Sequence, residues 1–308
     1  MVDLLLLGCG GGMPMPNRFL SATLLSYKGR KILIDCGEGT QVSMRMSNAG
    51  FKTIDVICIT HIHGDHIVGL PGLLGTIGNS GRTEPLTIIG PEGIEDAVNG
   101  LRVIANWLPY DINIIENPRE IFDIPNVCIN WDTEISTMEL DHSSPCIGYS
   151  FYFKRQRKFD IEKARKNNVP KTLWGILQKN EKKINLDGVE YTDEMVLGDE
   201  RKGIKVSIIT DTRPIEGITD FIEDSDYFIC EGTYGNDEDL PKAIKNKHMT
   251  FRESAVLAQN GRVRNLLLTH FGTAMNEPEI YLDNAKQIFN NTIIGFDRYK
   301  TTLIFEED

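Results

Sequence analysis

The sequence predicts a mixed α/β (α+β) fold rich in sheet, on three observations. Short apolar runs recur along the chain with glycine-rich turns between them, as short strands do. Helical spacing follows several of these runs, so strands and helices intermingle rather than forming separate blocks. With 41% hydrophobic and 25% charged residues, the composition is that of an ordinary globular chain, which excludes collagen-like, coiled-coil and wholly disordered architectures.

Residues 4–7 form the first expected strand, ended by Gly8-Cys9-Gly10-Gly11-Gly12. That run lacks the Gly-Lys-Ser/Thr ending of a phosphate loop and the spacing of a dinucleotide fingerprint, so it reads as a close backbone turn. Strands are expected next at 22–26, 31–35 and 56–60, and helices at 40–48 and 93–107. Further strands are expected at 86–89, 146–153, 206–210, 227–230, 266–269 and 302–305. No internal repeat or low-complexity linker cuts the 308 residues, so one elaborated domain over 1–308 is expected. Residues 150–200 read as a basic arm inserted within it, with helical spacing at 161–166 and a turn at Asp187-Gly188.

The net charge of −11 makes the whole chain repel a polyanion. Between Lys154 and Lys183, however, eleven basic residues face three acidic ones, a local charge of +8. A charge run alone is more often a solvated face than a binding site. A cationic segment on an anionic body is also the asymmetry that delivers phosphate contacts locally, and Lys154, Arg155, Arg157, Lys171 and Lys179 are the candidates. No run approaches the ~18 apolar residues of a membrane span, and residues 4–7 have neither a basic flank nor a cleavage site, so neither a membrane partner nor secretion is expected. Six dispersed cysteines without CxxC pairs read as buried thiols in a reducing, cytoplasmic compartment.

The chain has six histidines, and three of them fall with an aspartate in Thr60-His61-Ile62-His63-Gly64-Asp65-His66, directly after an apolar strand. A loop at a strand end lets a rigid scaffold aim several side chains at a shared point. His61 and His63, two apart, suit projection to one side, and Gly64 lets the backbone turn so that Asp65 and His66 face a second point. Imidazole and carboxylate are ligands that divalent zinc or manganese accepts. A lone histidine is usually an ordinary core or surface residue, but that reading does not account for this cluster, which points to a two-metal hydrolase.

His61-Ile62-His63-Gly64-Asp65-His66 resembles the HxHxDH signature of the metallo-β-lactamase superfamily, which implies an αββα sandwich with two metals at the edge of the sheets. Flavodiiron oxidases of that superfamily carry Glu at the position of His63, so the resemblance implies hydrolysis rather than redox chemistry. Across nearly the whole chain the sequence is similar to the ribonuclease Z family. The similarity lies in Asp35-Cys36-Gly37-Glu38-Gly39-Thr40-Gln41, Gly69-Leu70-Pro71-Gly72-Leu73-Leu74, Gly90-Pro91, and His142 ahead of Pro145 and Gly148-Tyr149. It continues in Asp211-Thr212-Arg213-Pro214 and Leu268-Thr269-His270.

This resemblance implies an endoribonuclease that removes the 3′ trailer of precursor tRNA and leaves a 3′-hydroxyl. It implies two divalent ions, zinc or manganese: His61, His63 and His142 would hold one, Asp65, His66 and His270 the other, and Asp211 would bridge them. His248, in His248-Met249-Thr250, matches the family's catalytic His-x-Thr element. The resemblance further implies a homodimer in which the arm of one subunit serves the other's site. Two metals roughly 3.5 to 4 Å apart supply a bridging hydroxide as nucleophile and relieve phosphoryl charge. Asp65 would orient that nucleophile as base, His248 would protonate or stabilise the departing O3′, and Glu231 would orient His248.

Three stretches depart from the family pattern. The family's His-Glu-Ala-Thr element reads Cys230-Glu231-Gly232-Thr233, and Phe271-Gly272-Thr273-Ala274-Met275 replaces a Ser-Ser-Arg-Tyr-like run. The third is the arm, where Val169-Pro170-Lys171-Thr172-Leu173-Trp174-Gly175-Ile176-Leu177 stands in place of a Gly-Pro-rich stretch. Its basic residues are expected to meet RNA, while Trp174 reads either as an RNA-stacking residue or as a packing anchor. The Asn17-Arg18 pair is expected near substrate, and Arg213 reads either as a phosphate contact or as a partner of Asp35 or Glu38. Two other functions stay open: a phosphodiesterase of the same fold acting on other RNA or small phosphodiesters, and a non-catalytic, metal-containing RNA-binding module.

Overall fold

The computed structural model describes residues 1–119, 122–123, 132–179 and 183–306; Cys128, Glu181 and Lys182 lie outside them. The chain divides into two compact units, Met1–Phe153 with Ile204–Ile304, and Lys154–Gly203 with Phe305–Asp308.

The larger unit contains two seven-stranded sheets. The first uses β1 (Val2–Gly8), β2 (Ala22–Tyr27), β3 (Arg30–Ile34), β4 (Ile54–Cys58), β5 (Leu86–Gly90) and β6 (Ile112–Glu116). The second is built on β7 (Phe122–Asp123), β8 (Thr133–Glu139) and β9 (Ile147–Arg155). After a separate hairpin of β10 (Lys183–Leu186) and β11 (Val189–Thr192), it resumes with β12 (Arg201–Ile209), β13 (Tyr227–Glu231), β14 (Leu266–Thr269) and β15 (Thr292–Ile294). The last strand, β16 (Tyr299–Leu303), returns to the first sheet, giving the orders β16-β1-β2-β3-β4-β5-β6 and β15-β14-β13-β12-β9-β8-β7.

In each sheet a parallel half joins an antiparallel half: β3 to β6 and β12 to β15 run parallel. Parallel strands covered on both faces read as continuous apolar runs, and β4, β5, β13 and β14 are buried at every position. Met44, Leu70, Leu73, Leu74, Ile77, Ile94 and Val98, from three helices, pack with Leu24, Leu33, Ile57 and Ile88 of the first sheet. Helix Phe251–Asn260 packs on β13 and β14 of the second sheet. Between the sheets, the Tyr149 hydroxyl reaches the carbonyls of Ile59 and Ile89 at 2.8 and 3.2 Å. The architecture is therefore the αββα sandwich that the sequence implies. Its parallel strands β3, β4, β12, β13 and β14 deliver Asp35, His61, Asp211, Glu231 and His270 at or just past their C-terminal ends, where open α/β sheets bind their ligands.

Two expected elements differ in extent. The helix expected at 93–107 is an α-helix over Ile94–Leu101 followed by a 3₁₀ turn, Arg102–Ala105, and the strand expected at 302–305 is Tyr299–Leu303, paired with β1 from Leu6 to Val2. Helix Leu70–Asn79 escapes a reading by propensity because Gly72, Gly75 and Gly78 lie within it. Its glycines answer to packing instead: a Cβ on Gly78 would sit 3.0 Å from Pro109 Cδ, and one on Gly72 2.9 Å from Gln41 Nε2.

The smaller unit has a core of its own, in which Ala164, Val169, Leu173, Leu177, Val196 and Leu197 are buried together. Helices Ile161–Lys166 and Lys171–Gln178 supply half of it, and the β10–β11 hairpin turns through Asp187 and Gly188, both at left-handed φ. Trp174 belongs to this core: its Nε1 donates to the Val169 carbonyl at 2.9 Å and its ring lies 5.2 Å from that of Phe159. Of its two readings the packing anchor is the one observed. Arg157 also turns inward, paired with Glu194 and donating to the Gly198 carbonyl at 2.5 Å, and Arg155 donates to the Glu306 carbonyl at 2.5 Å. Lys171 and Lys179, by contrast, stand exposed at the two ends of helix Lys171–Gln178, and Lys154 is half-buried.

In the loop before β5, Arg82 is 1% exposed and donates to the carbonyls of Lys52 (2.9 Å), Glu84 (2.8 Å) and Pro85 as well as to Asp55, itself 0% exposed, at 3.1 Å. Removing one member of such a buried network strands the rest, so Arg82→Ala should lower unfolding stability by about 3 kcal/mol or more, read as a drop in the urea midpoint with unchanged slope.

Candidate metal centre

The strand-end loops bring all six histidines together. His61 Nε2 and His142 Nε2 each approach His63 Nδ1, at 3.1 and 3.2 Å, and His66 Nε2 lies 3.2 Å from His270 Nε2. Asp211 stands between the two groups: its Oδ2 is 3.5 Å from His61 Nε2 and from His66 Nε2, and its Oδ1 is 3.2 Å from His270 Nε2. Asp65 Oδ2 completes the second group, 3.3 Å from His270 Nε2 and 3.5 Å from His66 Nε2. The donors thus fall into the set His61, His63, His142, Asp211 and the set Asp65, His66, His270. Asp211, His248 and His270 also come within the same reach of one another.

Four of the five imidazoles in those two sets are held from behind, which fixes the nitrogen that faces inward. His66 Nδ1 lies 2.7 Å from Asp35 Oδ2, His61 Nδ1 3.1 Å from Thr60 Oγ1, and His142 Nδ1 3.3 Å from the Lys247 carbonyl. The Thr233 hydroxyl donates to Glu231 Oε2 at 2.6 Å, which leaves its oxygen to accept from His270 Nδ1 at 3.1 Å. Asp35 is in turn held by Thr60, whose backbone N–H and hydroxyl reach its Oδ1 at 2.8 and 3.0 Å. This is the arrangement by which outer partners set ligand tautomer and direction.

The electrostatics agree with a set of metal donors. Burial drives the His61 imidazole well below its ordinary pKa, so its ring stays neutral with a lone pair available. Burial opposes ionisation of Asp65, but His270 and His66 outweigh it and hold the carboxylate charged; Asp211 is likewise buried, and the neighbouring His270 and His66 keep its pKa well down. Asp211 Oδ1 is buried without a hydrogen bond, an acceptor that a divalent ion at this place would satisfy. Imidazole nitrogens converging on one another with an anionic oxygen between them fit divalent ions.

Glycine makes room at the mouth. The Gly12 amide donates to Asp65 Oδ2 at 2.6 Å, and a Cβ on Gly11 would overlap the His270 ring. The run Gly8 to Gly12 is therefore the close backbone turn expected, one side of an open cleft of about 360 Å³ whose other walls include His63, His142, Asp211, Thr233 and His248.

His248 stands beside both sets, its ring centroid 5.2 Å from that of His142 and 5.6 Å from that of His270. Its Nδ1 lies 3.1 Å from Oε2 of Glu231, a carboxylate that is 0% exposed. Burial pulls the His248 imidazolium down, but the charge and hydrogen bond of Glu231 more than offset this and bring its pKa to about 9. Glu231 also accepts from the backbone amides of Thr212 (2.7 Å) and Met249 (3.1 Å), so one carboxylate fixes the loops that carry Asp211 and His248.

Arg213 meets neither Asp35 nor Glu38. Its guanidinium forms a two-pronged pair with Glu253 and donates to the His248 carbonyl, bracing the start of helix Phe251–Asn260. Glu253 serves this pair and the Thr250 capping box at once, a use invisible to local spacing. Asn17 and Arg18 do not line the cleft; Arg18 lies over the Phe271 ring and donates to the Asn276 carbonyl at 3.2 Å. Cys230 is fully buried beside Ser254, so this departure from the family pattern lies in the core rather than the cleft. Thr60, Thr233 and the Gly12 amide are contributors to which motif reading gave no role; Thr60 and Thr233 lie within the motifs, whereas Gly12 meets Asp65 across 53 positions.

An αββα sandwich with two donor sets at its strand ends defines a metallo-β-lactamase-fold hydrolase. A family model described as "Anti-Pycsar protein Apyc1" matches residues 2–100. The chain is 77% identical to a ribonuclease Z of Clostridium beijerinckii over the full length of both, and 59% identical to a ribonuclease Z of Clostridioides difficile, again covering both chains fully. Among solved structures it is similar to the short form of human tRNase Z, with a TM-score of 0.69 and 23% identity over 98% of this chain and 100% of that one. It is similar in fold to the metallo-β-lactamase fold protein YhfI from Bacillus subtilis, with a TM-score of 0.70 and 17% identity over 98% and 100% of the two chains. The chain belongs to the ribonuclease Z family.

Because Asp35 orients His66 without touching the cleft, Asp35→Asn should weaken divalent metal retention on the order of 10-fold, measured by chelator competition, while the circular dichroism spectrum stays unchanged.

Proposed function

We propose that this chain is a metal-dependent endoribonuclease that removes the 3′ trailer of precursor tRNA, cutting after the discriminator nucleotide. The observation that carries this reading is His248: an imidazole whose pKa buried Glu231 raises, beside two sets of metal donors but with its own nitrogen engaged by that carboxylate. His61, His63 and His142 would hold one divalent ion, Asp65, His66 and His270 another, and Asp211 would serve both, with zinc or manganese suited to these donors. When bound, such ions supply a nucleophile at neutral pH and relieve charge on the phosphoryl oxygens.

The protein's own groups supply the remainder. Asp65, fixed by the Gly12 amide, orients the attacking water and serves as its base. As the bond from phosphorus to O3′ breaks, His248 delivers its proton to that oxygen, leaving a 3′-hydroxyl on the tRNA and a 5′-phosphate on the trailer. Glu231 keeps His248 charged until that moment and holds its ring in place. Of the basic residues proposed to meet RNA, exposed Lys171 and Lys179 are best placed to reach phosphates, and Arg157 acts within its own unit. The family resemblance is the basis for a homodimer, and the buried free thiols among the described residues support a reducing, cytoplasmic setting.

With an end-labelled precursor tRNA, the wild-type protein should make one cut after the discriminator nucleotide. Asp65→Ala should abolish it, and His248→Ala should slow it by roughly 10² to 10⁴-fold while sparing bis-p-nitrophenyl phosphate, whose departing phenolate needs no proton. A protein that hydrolyses the small diester but leaves the precursor intact would instead be a phosphodiesterase with another substrate. Lys171→Glu with Lys179→Glu should weaken precursor binding, flatten its dependence on salt by about one unit of log-log slope per lysine, and leave small-diester hydrolysis untouched.

A further inference from the structure

The metal cleft does not end at His248. Past Thr233, Gly272 and Thr273, which line both, it continues into a second recess of about 230 Å³. Tyr234 forms one wall, with its hydroxyl accepting from Asn246 Nδ2 at 2.7 Å and its ring 6.4 Å from that of His248. Tyr281, Met275, Ala274 and Thr273 also line it, and so do Asp239 and Lys242, whose charges are paired with each other at 2.6 Å. Gly235 is required at this place, because a Cβ there would overlap the Tyr281 ring. Two aromatic rings and a thioether around a slot, with hydroxyls at its mouth, form a stacking surface for a planar heterocycle.

The chemistry of the cut says which heterocycle. The bond that breaks joins phosphorus to the O3′ of the retained RNA, and the proton for that oxygen comes from His248. The ribose beside His248 therefore belongs to the nucleotide on the 5′ side of the cut, and the recess that opens next to His248 is within reach of that nucleotide's own base.

We propose that the recess bounded by Tyr234, Tyr281 and Met275 is a stacking subsite for the nucleobase immediately 5′ of the cleaved bond, the discriminator base. This rests on the processing function proposed above. Aromatic stacking accepts any base because every base has a π-face, so the subsite positions the reacting phosphate without dictating sequence, and it favours the larger purines.

The test compares an end-labelled precursor tRNA with the same RNA abasic at the discriminator position, in wild type, Tyr234→Leu and Ala274→Trp proteins, with bis-p-nitrophenyl phosphate as a monitor of the catalytic centre. Wild type should cut the abasic RNA with kcat/KM reduced on the order of 10-fold, the size expected for one lost stacking contact. Tyr234→Leu should be slower on the normal precursor and lose most of the distinction between the two RNAs, Ala274→Trp should block the recess with the same result, and both should hydrolyse the small diester as wild type does. A second reading uses 2-aminopurine at the discriminator position: its fluorescence should be quenched on binding to wild type and not to Tyr234→Leu.

Equal cutting of both RNAs by wild type, or an abasic defect that neither substitution alters, would overturn the subsite while leaving the processing function standing. Hydrolysis of the small diester with no cut in either RNA would remove the processing function and the subsite together. If both variants lost small-diester hydrolysis as well, the recess would be part of the catalytic centre rather than a base subsite, and the proposal would fail.

Discussion

A single buried carboxylate organises this molecule. Glu231 lies at the C-terminal end of β13 with no exposed surface, and a charge in that position is costly unless it is fully compensated. The compensation comes from three directions: the Thr212 amide, the Met249 amide with the His248 ring, and the Thr233 hydroxyl. Each of those donors stands next to a residue of the site. Satisfying Glu231 therefore sets Asp211, His248 and, through Thr233, His270 at fixed separations before any ion or substrate arrives. The electrostatic demand of one side chain thereby becomes the preorganisation of a centre assembled from three separate loops.

That view explains which parts of the centre were legible in the sequence. The His61 to His66 cluster stands out because its ligands are neighbours on one loop, and the apolar runs before it and before Asp211 mark the strands that carry them. His142, His248 and His270 are far apart in the chain, and only the family resemblance joined them. The partners behind the ligands were less visible. Asp35 looked like one residue of a family motif and Arg213 like a phosphate contact or a partner of Asp35 or Glu38, because the bonds they make, to His66 and to Glu253, span 31 and 40 positions. Pairing at that range is decided by the packing of sheets, which local periodicity does not encode. For the same reason helix Leu70–Asn79, with three glycines, went unseen: its stability comes from Leu70, Leu73, Leu74 and Ile77 against the sheet.

Charge is distributed with comparable selectivity. The run from Lys154 to Lys183 reads as strongly cationic, yet Arg157 and Lys163 spend their charge on Glu194 and on the carbonyls of Leu197 and Gly198 within their own unit. Lys171 and Lys179 keep theirs in solvent. A basic segment can thus contain its own framework, so a count of positive residues overstates the number of phosphates it can neutralise.

Asp35 and Asp211 share one further trait: both adopt left-handed backbone angles, with φ of 58° and 42°. Aspartate and asparagine are the non-glycine residues that tolerate this region most readily, since their short side chains can bond locally. At these positions the residue that conformation allows and the residue that chemistry demands coincide in aspartate, and the nearest conformational substitute is its uncharged amide. Exchange for asparagine would keep the turn and remove the charge. In evolutionary terms the centre is therefore easier to silence than to unfold, and a lineage relieved of selection for hydrolysis could retain this sandwich as a folded but inert scaffold.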